Sequence, residues 1–149
     1  MLRINRQTDY AVRVILAVAK RGEAARLSTP TIQDEMQIPS AVMLRIVAAL
    51  AKANLLKTFP GRDGGVSLAR PAAQISLLDV VQALEGPLLL SQCLGAVSES
   101  DCPFRSSCPV CAKWGKVQAA MLREMAATNF EELVQEALSM FSPVRSMIP

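Results

Sequence analysis

The sequence predicts a mainly α-helical chain interrupted by one short β-hairpin. Two observations carry that expectation. Apolar residues fill 51% of the 149 positions but aromatic residues only 4%, a balance that suits helices packed through alanine, valine and leucine. Cap residues, prolines and glycines also cut the chain into stretches whose apolar residues recur at helical spacing, with one glycine-rich turn among them.

The elements follow in order. Asp9 to Lys20 places Val12, Ile15, Leu16 and Ala19 on one helical face, with Thr8 as the expected N-cap and Gly22 as the stop. Thr29 is expected to cap a short helix that opens at Pro30, where a missing N–H does no harm, and reaches about Met36. Pro39 biases Ile38 away from helical angles. Ser40 is then the expected cap of a third helix to about Ala53, ended by Asn54 in the left-handed region. Leu55 to Phe59 and Val66 to Leu68 read as extended runs, joined by Pro60-Gly61-Arg62-Asp63-Gly64-Gly65. Three short helices followed by a two-stranded hairpin make a winged helix-turn-helix. In that arrangement the third helix enters the DNA major groove and the hairpin, the wing, touches the backbone or minor groove.

Beyond the wing, Ser76 is the expected cap of a helix from Leu77 to Leu84, which Glu85-Gly86-Pro87 ends. An irregular segment marked by Pro103 and Pro109 follows, then a long helix from about Pro109 to Ala126. Its Val117, Met121, Leu122 and Met125 are expected at a homodimer interface, with an ordinary intrachain core as the alternative. Thr128 and Glu131 fit a capping box that opens a last helix through about Phe141. The expected organisation is a DNA-binding region over residues 1–70, then a cysteine-bearing loop and dimerisation helices forming one structural unit over 71–149.

Charge divides at the same place. Residues 1–70 carry eleven Lys/Arg against five Asp/Glu, whereas residues 71–149 carry five against eight. A basic first half suits phosphate backbones, although a solvated basic face would look the same. On the third helix Arg45 is the expected reader of base edges, because a guanidinium can donate twice to guanine. Ser40 is a second polar contact, Arg62 at the wing tip suits a narrow minor groove, and Lys57 and Arg3 are weaker phosphate candidates.

All four cysteines, Cys93, Cys102, Cys108 and Cys111, fall within nineteen consecutive residues, and the chain has no histidine. A soft-metal site here must therefore be built from thiolate, helped at most by a carboxylate. The N-terminal Met1-Leu2-Arg3-Ile4-Asn5-Arg6 lacks a secretory apolar core, and no apolar run approaches the roughly 18 residues of a membrane span. The expected compartment is the cytoplasm, where clustered cysteines are metal ligands more often than disulfides. Spacing alone leaves zinc and an iron–sulfur cluster both open. With no histidine, no glycine-rich phosphate loop and no Cys-x3-Cys-x2-Cys motif, there is no catalytic constellation, and an enzyme is not expected.

Several segments carry a family resemblance: Ile38-Pro39, Leu44-Arg45-Ile46-Val47-Ala48-Ala49-Leu50, Asn54-Leu55-Leu56, Gly64-Gly65-Val66-Ser67-Leu68-Ala69-Arg70, and Ile75 through Gly86. Together they resemble the Rrf-type winged-helix transcriptional regulators, over nearly the whole chain from Leu2 to about Leu138. Val42, Pro60 and Val66 depart from the residues common in that family, a tyrosine, an arginine and an aromatic respectively.

The resemblance implies a homodimer on a double-stranded DNA operator, acting as a repressor. Its DNA affinity would be controlled by a two-iron or four-iron cluster that senses redox state, nitric oxide, or iron and cluster supply. Cluster-binding relatives carry three cysteines that correspond to Cys93, Cys102 and Cys108. Some members add a histidine at the position of Cys111, three residues before a tryptophan matched by Trp114; others use an aspartate matched by Asp9. Thiolate is the standard cluster ligand, so Cys111 is favoured over Asp9 as the fourth. The alternatives are a regulator with structural zinc or a partner-controlled switch, and, further off, an electron carrier that does not bind DNA.

Overall fold

The computed structural model describes residues 3–95 and 102–140. Helix α1 spans Arg6–Ala19, α2 Thr29–Met36 and α3 Ser40–Lys52; strand β1 spans Leu56–Phe59 and β2 Gly65–Leu68; helix α4 spans Leu77–Glu85, α5 Pro109–Ala127 and α6 Phe130–Met140. Short 3₁₀ turns at Ala72–Gln74 and Gln92–Leu94 precede α4 and follow it. The strands pair antiparallel, Leu56 opposite Leu68 and Phe59 opposite Gly65. The mainly α fold with a two-stranded wing is thus the one expected.

Helix α1 is the centre of packing. Its Ala11, Val14, Ile15, Ala17 and Val18 are fully buried, and α2, α3, α4 and α6 all pack against it. One apolar cluster runs from these residues through Ile32, Ile46, Leu50 and Val66 to Ile75, Val80 and Phe130. Phe130 is the largest fully buried side chain, so the last helix is keyed into the core of the first three. Truncating such a residue to alanine costs about 3–5 kcal/mol.

Four expected caps shift. Helix α1 begins earlier, capped by Asn5, whose Oδ1 accepts from the Thr8 amide at 2.9 Å. Thr8 is instead fully buried, and its hydroxyl donates to Glu85 Oε1 at 2.7 Å. Ser28, not Thr29, caps α2 by accepting from the Thr31 amide. Ser40 is the first residue inside α3, whose N-cap is Pro39 with no side-chain bond. Asn129 rather than Thr128 caps α6, accepting from the Glu132 amide at 3.0 Å. Thr128 closes α5 by donating to the Glu124 carbonyl. The expected end of α6 at Phe141 lies outside the described residues.

Other signals stand as expected. Asn54 is left-handed at φ 56°, and Gly86 ends α4. Ser76 and Asp79 form a reciprocal capping box on α4, with Ser76 accepting from the Asp79 amide and Asp79 from that of Ser76.

Helix α5 is unusual: none of its 19 residues is buried. Met121, Leu122 and Met125 are half-buried, and the two methionines line a small cleft with Glu85, Leu88 and Leu90. Val117 points elsewhere, to an exposed stripe with Val110 and Trp114. The four residues expected on one interface therefore divide between two faces.

Glu85 joins the ends of α1 and α4, accepting from both the Thr8 hydroxyl and the Asn5 amide. These bonds, Thr8 foremost, hold its carboxyl below the ordinary value of 4.5. A depressed carboxylate stabilises the fold fully above that ordinary value, and the contribution fades as pH falls through the folded one. Thr8→Val should lower the urea-unfolding free energy by about 1 kcal/mol at pH 7. The difference between variant and parent should shrink as the pH is taken below 4.5.

Candidate functional site

Helix α3 buries Met43, Ile46, Val47 and Leu50 and leaves Ser40, Ala41, Leu44, Arg45 and Ala48 exposed. No acid stands anywhere in its sequence. The wing follows directly. Lys57 is exposed on β1 opposite Ser67, and Arg62 is exposed in the turn between the strands.

A third segment braces the hairpin. Leu27 forms an antiparallel bridge with Val66, its amide and carbonyl both at 2.9 Å. Gly65, at φ +135°, permits that approach, since a Cβ there would strike the Leu27 carbonyl. Beside the bridge, the Arg26 guanidinium stacks 3.7 Å from the centroid of Phe59, a cation–π contact of roughly 0.5–1 kcal/mol at an exposed site. Sequence reasoning passed over Arg26, and no periodic signal links it to a phenylalanine on a distant strand. Arg3 lies apart from the wing, lining the cleft with Glu85 and Met125. Ser40, Arg45, Lys57 and Arg62 thus share α3 and the wing, and Arg3 does not.

Three of the four cysteines meet at the start of α5. Cys108 is the N-cap, its sulfur accepting from the Cys111 amide at 3.5 Å, with Pro109 as the first helical residue. Cys111, one turn in, reaches across to the Cys93 carbonyl at 3.8 Å and hydrogen-bonds its thiol. Cys93 sits in the Gln92–Leu94 turn with Ser91 Oγ 3.2 Å from its sulfur. The neighbouring loop is pinned to α5 by the Leu90 amide donating to Gln118 Oε1 at 2.9 Å. Cys102 is exposed on the preceding loop. Asp9 lies on α1, paired with Arg13 at 2.8 Å.

The Ser91 hydroxyl, then the Cys111 thiol, hold Cys93 below the ordinary thiol value of 9.0. Cys111 is pushed above it by donating to Cys93, by burial, and by the charges of Cys93 and Cys108. Among the described residues no three Cys, Asp or Glu side chains are gathered tightly enough to hold a metal ion. The donors nonetheless suit a thiolate-bound group in kind: thiols only, with Cys108 at the N-cap and Cys111 in the first turn of a helix, where free amides favour negative charge.

A three-helix head with a braced wing, followed by a long exposed helix, defines a winged-helix DNA-binding regulator. Residues 4–136 match the family Rrf2, described as an iron-dependent transcriptional regulator, and the chain belongs to that family. It is 35% identical over 135 residues to protein aau3 of Rhizobium meliloti, covering 90% of this chain and 86% of that protein. It is 25% identical over 134 residues to the regulator NsrR of Oceanobacillus iheyensis, covering 90% of each. The fold matches CymR, the global cysteine regulator of B. subtilis, with a TM-score of 0.73 at 23% identity, covering 91% of this chain and 98% of that one. It matches IscR of T. potens with a TM-score of 0.72 at 20% identity, covering 95% and 92%. The Oceanobacillus iheyensis relative is named as a transcriptional regulator, and no described helix is long and apolar enough to cross a membrane.

The opposite shifts of Cys93 and Cys111 predict an order of reaction. In metal-free reduced protein near neutral pH, iodoacetamide should alkylate Cys93 well before Cys111, because the thiolate is the nucleophile. Peptide mass mapping over time reads the order. Equal rates would show that the Ser91 and Cys111 contacts do not act in solution.

Proposed function

We propose that the chain is a cytoplasmic homodimeric repressor whose affinity for its operator depends on an iron–sulfur cluster held by Cys93, Cys102, Cys108 and Cys111. The observation that carries the reading is the convergence of Cys93, Cys108 and Cys111 at the N-terminus of α5, in a chain of a family described as iron-dependent. A two-iron or four-iron cluster suits the thiols equally. Cys111 rather than Asp9 is the fourth ligand in this reading, since Asp9 is engaged by Arg13. Bound there, the group supplies iron and sulfide open to oxidants and nitric oxide.

The chain's own contacts give the thiols a route to DNA. Ser91 and the Leu90–Gln118 bond hold the Cys93 turn against α5, and the segment from Gly86 to Leu90 leads back to α4. Glu85 ties the end of α4 to Asn5 and Thr8 on α1, which packs on α3. Displacing the Cys93 turn from α5 would strain that tie and tilt α3 relative to a partner copy. The exposed stripe of Val110, Trp114 and Val117 is the proposed dimer contact. On the DNA side, Arg45 reads a guanine, while Ser40, Arg62 and Lys57 contact phosphate or the minor groove; Arg3, which lies apart from α3 and the wing, is left out of this contact set.

Anaerobic purification followed by iron, sulfide and zinc assays tests the cofactor; operator binding before and after nitric oxide or oxygen tests the switch. Visible cluster absorbance should vanish in Cys111→Ala and persist in Asp9→Ala. Arg45→Ala should weaken specific binding by roughly 5- to 150-fold. Arg62→Ala should reduce the salt dependence by about one counterion.

A second reading keeps the DNA-binding role but replaces the cluster with structural zinc or a partner-controlled switch. The partner-controlled form draws on the absence of a tight three-ligand group among the described residues and on the likeness to CymR, while zinc would need the same gathered thiols as the cluster. Colourless protein with one zinc per chain would establish the zinc form and sink the cluster.

A further inference from the structure

Leu44 is among the most exposed large apolar side chains of the described residues, at 80%. It stands in the second turn of α3, within the half of a recognition helix that enters the groove. Around it the open face of the helix offers Ala41 and Ala48, with Ser40 and Arg45 as its polar members. That face holds no Asn or Gln to pair with adenine and no acid to accept from cytosine. Arg45 beside it and Arg62 on the wing give the surroundings a positive charge that draws phosphate, yet leucine itself has nothing to offer a phosphate oxygen.

In the major groove the one apolar group a base edge presents is the 5-methyl of thymine. We propose that Leu44 is a specificity-determining residue that packs on a thymine methyl next to the base pair read by Arg45. The inference rests on α3 being the recognition helix of the proposed regulator. Selectivity at that position then comes from removing a methyl group from water rather than from a hydrogen bond. Ala41 and Ala48 keep the flanking surface low enough for a branched side chain to reach the groove floor.

The test begins with the full-length protein and a randomised duplex pool, from which bound sequences are enriched. Each thymine of the enriched duplex is then replaced singly by deoxyuridine, which removes the methyl and nothing else. One thymine per half-site should become sensitive, losing roughly four-fold in affinity for each methyl removed. In Leu44→Ala that sensitivity should disappear, while the melting curve stays nearly unchanged because the side chain is 80% exposed. 5-Methylcytosine should bind more tightly than cytosine at the same position in the parent only. An enriched duplex with no deoxyuridine-sensitive thymine, or with sensitivity unaltered in Leu44→Ala, would overturn the role of Leu44 and leave the regulator intact. Failure to enrich any duplex would overturn both, and would leave Leu44 as part of a protein-docking face.

Discussion

Helix α4 is held at each end by polar contacts to segments far away in sequence, and the two halves of the chain meet through it. At its start, the Ile75 carbonyl accepts from the Phe130 amide at 3.0 Å and the Leu77 amide donates to the Thr128 carbonyl at 2.8 Å. This small bridge stitches the α5–α6 turn to the segment leaving the wing. Asp79 closes the capping box on the same turn and takes an ion pair from Arg70, at 3.2 Å. At its finish, Glu85 is caught by Thr8 and Asn5. A nine-residue helix is too short to stand alone in water, so these anchors and the burial of Val80 and Val81 are what fix its place.

Because α4 is fixed, the chain leaving it is fixed as well. The turn carrying Cys93 arrives beside the start of α5 only because Gly86 releases the backbone there at φ +74° and Gln118 receives Leu90. On its other side, α4 packs against α1 and α3. The thiols and α3 therefore share one supporting helix rather than two independent scaffolds.

The sequence shows which elements exist more clearly than where each begins. Three of the four displaced caps occur where two or more cap-forming residues crowd together: Asn5 with Thr8, Ser28 with Thr29, Thr128 with Asn129. Local propensity cannot rank such neighbours, and tertiary contacts decide. Thr8 is withdrawn from capping by a carboxylate on a helix remote in sequence. Thr128 is diverted by the carbonyl one turn behind it. The Ser76 cap stood out because no competing residue adjoins it. At the candidate site, cysteine spacing made the nearness of Cys108 and Cys111 legible, since a helix sets it. That Cys93 joins them depends on the path of a loop, and the Arg26–Phe59 stack depends on the pairing of distant segments. Neither leaves a periodic trace.

The Leu27 bridge and the Arg26 stack also bear on how fast the wing can let go of a ligand. A two-stranded hairpin alone is marginal in water, and a wing that ordered only on contact would give up part of its binding energy to lost backbone freedom. Here the end of the hairpin next to its turn is immobilised during folding, by the bridge to Val66 and by a guanidinium lying on Phe59. Its entropy is already lost before any encounter, so contacts at the wing tip contribute more fully to residence time. Arg26, which need touch no ligand itself, would thereby act on dissociation rather than on recognition.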